Sequence, residues 1–346
     1  MQRSSRVFSL AAKIGMFSLA VLAQSNTVSA AADSGKGYIA HQSVAPYIDS
    51  LVAEHKMDRG DLERWFSEAE KKQSILDAIS RPAEKTKPWK DYRKIFLTQS
   101  RIEKGVEFWL ENAEALARAE ETYGVPAEMI VSIIGVETRY GSNVGRYRVI
   151  DALSTLAFDY PKRSKFFKKE LTHFLLLTQE QKQDPLSLLG SYAGAMGYGQ
   201  FMPSSYRAYA VDFDGDAKVD IWKNPTDAIG SVANYFKRHG WKSGQPVITR
   251  ARVDADYDRE AVKAPLKPSI SLGDLKSKGL LAVESYPDTS MASPFKLEGS
   301  RGAEFWLGLQ NFYVITRYNH SRMYALSVYQ LSLAIGERYR SDQAQR

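Results

Sequence analysis

The chain has no cysteine among its 346 residues. That excludes disulfides and attachment of a lipid to an N-terminal thiol, so the core must hold without covalent staples. Long hydrophobic runs are missing as well. The apolar run near the N-terminus, residues 14–23, is ten residues long, short of the roughly 20 that a helix needs to span a bilayer. The five histidines (His41, His55, His173, His239 and His320) are scattered with no H-E-x-x-H spacing, which argues against a metalloenzyme. No serine sits in G-x-S-x-G, and neither G-x-x-x-x-G-K-[ST] nor a strand-borne G-x-G-x-x-G offers a phosphate cradle. No internal repeat is evident.

Acidic residues are also absent from the first 30 positions, where Arg3, Arg6 and Lys13 precede the apolar run and Val28-Ser29-Ala30 follows it. This is the shape of a secretory signal peptide, residues 1–30, cleaved near Ala30; an uncleaved anchor is the alternative. The expected product is exported, soluble and without a stable membrane anchor. Losing three basic residues lowers the formal net charge from +7 to +4. The mild excess suits an anionic partner. Export makes nucleic acid a poor candidate, and an anionic cell-wall polymer a better one.

Residues 31–37 are small and polar and are expected to be disordered. Residues 44–119 read as helical and highly charged, with Phe108, Ala115, Leu116 and Ala119 at helical intervals in one long segment. Gly124-Val125-Pro126 breaks it, and residues 126–241 read as several helices joined by glycine-rich loops. The pattern then changes. Residues 247–249, 251–253, 295–297 and 312–316 look like short strands, with Pro265, Pro268 and Gly273 as punctuation. Residues 319–338 return to helix, with Tyr324, Val328, Leu331 and Ile335 on one stripe. The fold class expected is α+β, mainly helical. Its parts are a helical domain (31–119, completed by a C-terminal helix at 319–346), a core at 120–244 and a small β-containing domain at 245–318.

Two stretches carry chemistry. The first ends the apolar run P-A-E-M-I-V-S-I-I-G-V-E, in which Ile130, Ile133 and Ile134 precede Glu137 by seven, four and three residues. All four side chains fall on one helix face. Desolvation there disfavours the charged carboxylate. With Gly141 as the expected helix stop, Glu137 lies in the last turn, where the helix dipole pushes its pKa the same way. A carboxylic acid kept protonated is what a general acid needs. The structural alternative is a buried glutamate paired with Arg139. The second stretch, G-S-Y-A-G-A-M-G-Y-G-Q-F-M-P-S-S-Y from Gly190, has four glycines in ten residues before Gln200, Phe201 and Met202. Glycines let backbone approach a ligand, aromatic and methionine side chains supply apolar surface for a ring, and a glutamine amide suits hydroxyl and acetamido groups. This reads as a sugar-binding loop.

G-V-E-T-R-Y-G, then D-A-L-S-T-L-A-F-D-Y-P-K-R from Asp151, G-A-M-G-Y-G-Q-F-M-P-S-S-Y and D-A-I-G-S-V-A-N-Y-F from Asp227 resemble the B-type lytic murein transglycosylases, glycoside hydrolase family 103. The likeness runs from about residue 38 to 335. It implies a lysozyme-like core flanked by a helical domain and a small β-domain. The activity implied is cleavage of the β-1,4 bond between N-acetylmuramic acid and N-acetylglucosamine in peptidoglycan, without water, leaving 1,6-anhydromuramic acid ends. It implies Glu137 as the single catalytic acid/base and Ser191, Gln200, Phe201, Met202, Tyr235, Tyr318, Asn319 and Tyr324 as sugar contacts. Lys162 and Arg163 match a basic pair near the peptide-bearing part of the substrate. Tyr235 and Tyr324 read equally well as core aromatics, and the basic cluster as a solvated helix face. The missing cysteine places the chain with the soluble periplasmic members. Cell-wall synthesis enzymes are further candidate partners, a monomer is expected, and no cofactor is needed for catalysis.

D-F-D-G-D-A-K-V-D, residues 212–220, sets carboxylates at alternate positions, as a calcium loop does. It departs from the EF-hand pattern, with Ala217 and Lys223 where Gly and Glu belong. The family's variant loop takes its last carboxylate later, and Asp227 matches that place. The resemblance thus implies a structural Ca2+ on Asp212, Asp214, Asp216, the Lys218 carbonyl and Asp227. The alternative is a solvated acidic turn with Asp227 capping a helix that begins near Ala228. Two rival functions remain. One is a muramidase-type hydrolase using Asp151 or Asp159 as a second carboxylate, although D-A-L-S-T-L reads as an N-cap followed by a core helix. The other is a non-catalytic peptidoglycan-binding protein.

Overall fold

The computed structural model describes residues 37–80 and 87–345. The expected signal peptide, residues 1–30, lies outside the described residues, as do residues 31–36 of the expected disordered stretch. Gly37, the last residue of that stretch, is firmly placed: a Cβ added there would sit 2.2 Å from the Ser67 carbonyl oxygen. The described chain forms two compact units, one of residues 37–244 with 328–345, the other Gln245–Ser327.

The larger unit is helical: α1 (Val44–His55), α2 (Arg59–Glu68), α3 (Gln73–Ser80), α4 (Trp89–Tyr92), α5 (Gln99–Glu111), α6 (Ala113–Tyr123), α7 (Ala127–Thr138), α8 (Val149–Phe158), α9 (Ser164–Glu180), α10 (Pro203–Tyr209) and α11 (Pro225–Arg238). Two short strands, β1 (Tyr147–Arg148) and β2 (Leu189–Gly190), pair antiparallel. The early helices bury narrow stripes, such as Ile48 and Leu51 in α1 and Leu62 and Phe66 in α2. Side-chain caps set their starts. Asp58 Oδ1 accepts from Asp61 N at 2.9 Å and Thr98 Oγ1 from Arg101 N at 3.3 Å, each worth about 1 kcal/mol.

α7 differs in kind, since ten of its twelve residues are buried. The expected stripe is apolar on every side, as befits a helix enclosed by others. It packs against α5, α6 and α11, and Glu120 Oε2 caps its start by accepting from Ala127 N at 3.0 Å. Two expectations about helix starts are corrected. α8 begins at Val149, so Asp151 lies inside its first turn and is not its N-cap. α11 begins at Pro225 with Asn224 as N-cap, its Oδ1 accepting from Thr226 N and Asp227 N; Asp227 therefore does not cap it.

The smaller unit contains β3 (Ile248–Val253), β4 (Ile270–Ser271), α12 (Leu272–Ser277), β5 (Leu280–Ala282), β6 (Met291–Gly299), β7 (Gly302–Gly308) and α13 (Gln310–Tyr318). Its five-stranded antiparallel sheet has the order β4-β6-β7-β3-β5. Leu272, Leu275, Leu280, Ala292 and Leu307 form its core. The two expected strands at 247–253 are one, and Gly273 lies in a helix. Residues 312–316 are also helical, against the β-branched run Val314-Ile315-Thr316. Burial of Asn311, Phe312, Val314, Ile315 and Thr316 together follows helical spacing and overrides local propensity. Phe312 stacks on Phe295 with centroids 5.4 Å apart. The last helix, α14 (Arg322–Ala344), belongs to the smaller unit through Ser327 and to the larger from Val328. Tyr324, Val328, Leu331 and Ile335 are all buried along it. Ser132 Oγ of α7 donates to Val328 O at 2.6 Å, so this polar group inside the apolar helix is satisfied.

Candidate active site

Glu137 lies in the last turn of α7 and is half-buried, whereas Arg139, the partner considered for it, is exposed. The helix ends at Thr138, three residues before the expected stop at Gly141. Arg139 and Tyr140 take φ of 50° and 59°, and Gly141 follows with φ 83°. The left-handed conformation costs about 1–2 kcal/mol for each residue with a side chain, so the surroundings must over-determine this turn. Thr138 is one constraint. Its Oγ1 accepts from Gly141 N at 3.0 Å and lies 3.0 Å from Tyr198 O and 3.1 Å from Ile134 O, the two acceptors open to its proton. Tyr140 is the other. Its hydroxyl donates to Arg101 O at 2.7 Å and its ring lies 5.7 Å from Phe108. Burial pushes this phenol far above its ordinary value, which keeps it a donor.

The glycine-rich loop meets this turn. A Cβ at Gly141 would sit 2.3 Å from the Tyr198 ring, and one at Gly197, whose φ is 66°, would sit 2.4 Å from Ile221 O. Tyr198 N donates to Ile221 O at 2.9 Å. Gln200, another left-handed residue with φ 50°, donates its Nε2 to Val144 O at 3.2 Å and Gly197 O at 3.0 Å. Its amide nitrogen therefore faces backbone. Ser191 Oγ accepts from Ala195 N at 3.0 Å and keeps its own proton for donation.

The other expected contacts divide between the units. Phe201 and Tyr235 are buried, 5.7 Å apart, and Tyr235 stacks on His239 at 4.0 Å. Met202 is the N-cap residue of α10. Lys162 is exposed, while the half-buried Arg163 guanidinium lies 4.1 Å from the Phe166 ring centroid and is pushed below its ordinary value by burial. Tyr318, Asn319 and Tyr324 belong to the smaller unit; Tyr318 ends α13, and the other two are buried.

Tyr92, at the end of α4, has no counterpart in the sequence reading. Burial pushes its phenol up to about 12, and the Glu137 carboxylate adds to the rise, so the two side chains feel each other's charge. The sequence offered only Trp89, Tyr92 and Phe96 at helical spacing, which reads as a core stripe. Asp151 and Asp159 are both engaged elsewhere. Asp151 takes Arg148 Nε at 2.8 Å, an Arg148 terminal nitrogen at 2.9 Å and Glu70 N at 2.9 Å. Asp159 accepts from Tyr38 at 2.6 Å and Lys71 at 2.5 Å.

In the acidic loop, one carboxylate oxygen from each of Asp212, Asp214 and Asp227 lies within 4.8 Å of the other two. Asp227 is fully buried. It accepts from Phe213 N at 2.7 Å and Asp220 N at 2.8 Å, yet burial still raises its pKa. The hydrogen bond from Asn224 Nδ2 to Asp214 Oδ2, 2.7 Å, lowers that of Asp214. Asp216 Oδ1 accepts from Lys218 N at 2.9 Å. Convergent carboxylates on a tight loop fit a hard cation. Asn224 is a loop residue that the motif did not flag.

Residues 40–333 match the family described as Transglycosylase SLT domain. Membrane-bound lytic murein transglycosylase B of Escherichia coli K12 is 44% identical over 310 residues, 87% of this chain and 84% of that protein. The catenated lytic transglycosylase SltB1 of Pseudomonas aeruginosa superposes with TM-score 0.85 at 54% identity, covering 87% of this chain and 99% of that one. The Escherichia coli lytic transglycosylase Slt35 in complex with calcium gives TM-score 0.81 at 44% identity, covering 88% and 96%. The mainly helical fold with a small sheet is thus the lysozyme-like fold that the motifs implied. On the match across residues 40–333 and these identities, the chain belongs to the lytic murein transglycosylases.

Proposed function

We propose that Glu137 is the single acid/base of a peptidoglycan lytic transglycosylase. The reaction is cleavage of the β-1,4 bond between N-acetylmuramic acid and N-acetylglucosamine with formation of a 1,6-anhydromuramic acid end. Protonated Glu137 gives its proton to the glycosidic oxygen as the bond from that oxygen to C1 breaks. The resulting carboxylate takes the proton of the muramoyl 6-hydroxyl as O6 bonds to C1. Water is neither consumed nor released, and Glu137 ends protonated. The muramoyl acetamido group stabilises positive charge at C1 between the steps.

The observation that carries this reading is the join between the two motifs. The end of the buried helix that holds Glu137 is tied to the glycine-rich loop by Thr138–Tyr198 and by Gln200–Val144. A half-buried acid at the end of a helix tied to a loop with sugar-compatible groups suits proton transfer to a glycosidic oxygen. Ser191 and Gln200 orient the saccharide, with Phe201, Met202 and Tyr235 shaping the loop's apolar support. Tyr318, Asn319 and Tyr324 are further sugar contacts, and Lys162 and Arg163 meet the stem peptide. A two-carboxylate hydrolase needs a partner about 5–9.5 Å from the acid, and Asp151 and Asp159 are held by Arg148 and Lys71.

Calcium on Asp212, Asp214 and Asp227, with Asp216 and the Lys218 carbonyl as the remaining oxygen donors, would hold the loop that leads into α11. Its role is structural, and no proton step passes through it. Among the described residues no helix is long and apolar enough to cross a membrane; export to the periplasm rests on the N-terminal sequence.

Mass analysis of products from intact sacculi tests the reaction. Wild type should release anhydro ends, and Glu137→Gln and Glu137→Ala should release almost nothing. Reducing ends carrying one added water would overturn the transglycosylase reading. Unchanged release by Glu137→Gln would overturn the assignment of the acid.

A further inference from the structure

Tyr140 occupies a slot that two glycines make for it. A Cβ on Gly135 of α7 would sit 2.5 Å from the Tyr140 hydroxyl, and one on Gly105 of α5 would sit 2.7 Å from it. The side chain enters between the two helices, and its hydroxyl donates to Arg101 O at 2.7 Å. Its own backbone is left-handed, as is that of Arg139 before it. An alanine at either glycine would close the slot. Without Tyr140 the turn keeps only its local hydrogen bonds, such as Gly141 N to Thr138 Oγ1 at 3.0 Å and Asn143 N to Thr138 O at 2.9 Å, against the cost of two consecutive left-handed residues with side chains.

Continuing the helix would change what Glu137 sees. Left-handed residues begin only two positions after it, and the turn carries the chain from α7 to the Tyr198 contact. A further helical turn would remove Gly141 N from Thr138 Oγ1 and undo the close fit of Gly141 against the Tyr198 ring, where an added Cβ would sit 2.3 Å away. Glu137 would then lie within the helix instead of in its last turn. A displacement of about 1 Å in a reacting group can cost around a hundredfold in rate.

We propose that Tyr140, keyed between Gly105 and Gly135, is a positioning residue: it holds the left-handed turn that aims Glu137 at the glycosidic oxygen. It touches neither substrate nor the transferred proton. The inference rests on Glu137 being the acid/base and deepens that reading.

The test is kinetics on soluble peptidoglycan glycan fragments with Tyr140→Phe, Glu137→Gln, and Tyr140→Phe combined with Arg139→Gly. Phenylalanine keeps the ring in its slot and removes only the hydrogen bond. It is expected to lower kcat by about tenfold or more while KM stays within about twofold, and to shift the limb of the pH–rate profile that reports Glu137. Arg139→Gly removes the cost of one left-handed residue and should recover most of the lost kcat. A merely structural role would move the melting temperature without this split. Wild-type kcat and pH profile for Tyr140→Phe, with Glu137→Gln inactive, would overturn the proposal and leave the acid assignment intact. Full activity in Glu137→Gln would overturn the assignment itself. A kcat loss that Arg139→Gly does not relieve would also overturn the proposal, since the loss would then not run through the left-handed turn. Should Tyr140→Phe not fold, Gly105→Ala, which crowds the same hydroxyl from α5, reads the same quantity: an unchanged kcat would overturn the proposal.

Discussion

The Thr138 hydroxyl lies 3.0 Å from the Tyr198 carbonyl, sixty positions away in the chain. It also accepts from Gly141 N at 3.0 Å. One fully buried side chain therefore closes the turn after Glu137 and pins the loop that faces it. Thr138→Val keeps the shape and removes the hydroxyl, leaving the Gly141 N–H without its acceptor. Leaving a buried polar group unsatisfied costs about 1–3 kcal/mol. Denaturant titration should show that loss, with Thr138→Ser near wild type and turnover falling only in the valine variant. Equal stability of all three proteins would mean the join contributes nothing.

Asp151 separates the transglycosylase from the hydrolase. Its carboxylate is fully buried and bidentate with Arg148, which is 27% exposed. Removing one partner of a buried pair costs about 3–5 kcal/mol, and partial exposure of Arg148 puts Asp151→Ala near the lower end. Residual product from the folded fraction should still carry anhydro ends. A change in product chemistry, not merely in yield, would show that Asp151 delivers water.

Glu170 caps α10 from a buried site on α9. Its oxygens accept from Ser204 N at 2.9 Å and Ser204 Oγ at 2.8 Å, yet burial raises its pKa above the ordinary carboxylate value. The protonated form is therefore favoured on folding. The stability it contributes is complete below the unfolded value, about 4.3, and is lost as pH rises through the folded one. Glu170→Gln can serve both Ser204 groups without a charge. Resembling the protonated carboxyl, it should match wild type best at acid pH, exceed it near neutral pH, and show no such loss as pH rises. Parallel urea titrations from pH 4 to 8 read this directly, and identical pH slopes would refute it. Glu170→Ala, which strands Ser204 N, should cost about 1–3 kcal/mol at every pH.

The acidic loop predicts a calcium-dependent melting temperature. A ligand that binds only the folded state stabilises it by mass action, and Asp227→Asn should abolish the rise. Because burial lifts the Asp227 pKa, calcium must displace any proton held there, so its effect should be larger at pH 7 than near pH 4. Ala217 holds φ 68° at the sixth loop position. Strain relief of about 1–2 kcal/mol outweighs the greater unfolded-state freedom of glycine, roughly 0.4–1 kcal/mol. Ala217→Gly should therefore raise stability and tighten calcium binding. A calorimetric titration without heat in the wild type would refute the metal site.

Much of this was legible locally. The apolar run before Glu137 specifies a helix and its burial, and Gly124-Val125-Pro126 marks where it starts. Phe312–Thr316 reads as a strand from its β-branched residues, which favour strands only until a helical burial pattern competes with them. Tyr92 was invisible because aromatic spacing at three and four residues describes core and cleft alike. Asp151 looked like a helix cap until the Arg148 and Glu70 contacts accounted for its oxygens.

The sequence by itself determined that Glu137 ends a buried helix and that a flexible glycine-rich stretch follows some fifty residues later. Helical periodicity and glycine content act within a few residues, so they can be read from order alone. Only the tertiary structure decided that the helix ends in two strained residues, that Tyr140 anchors them between Gly105 and Gly135, and that Thr138 reaches Tyr198. Left-handed backbone is unfavourable for each of these residues in isolation. It persists because partners from distant parts of the chain, brought together by the fold, hold it in place.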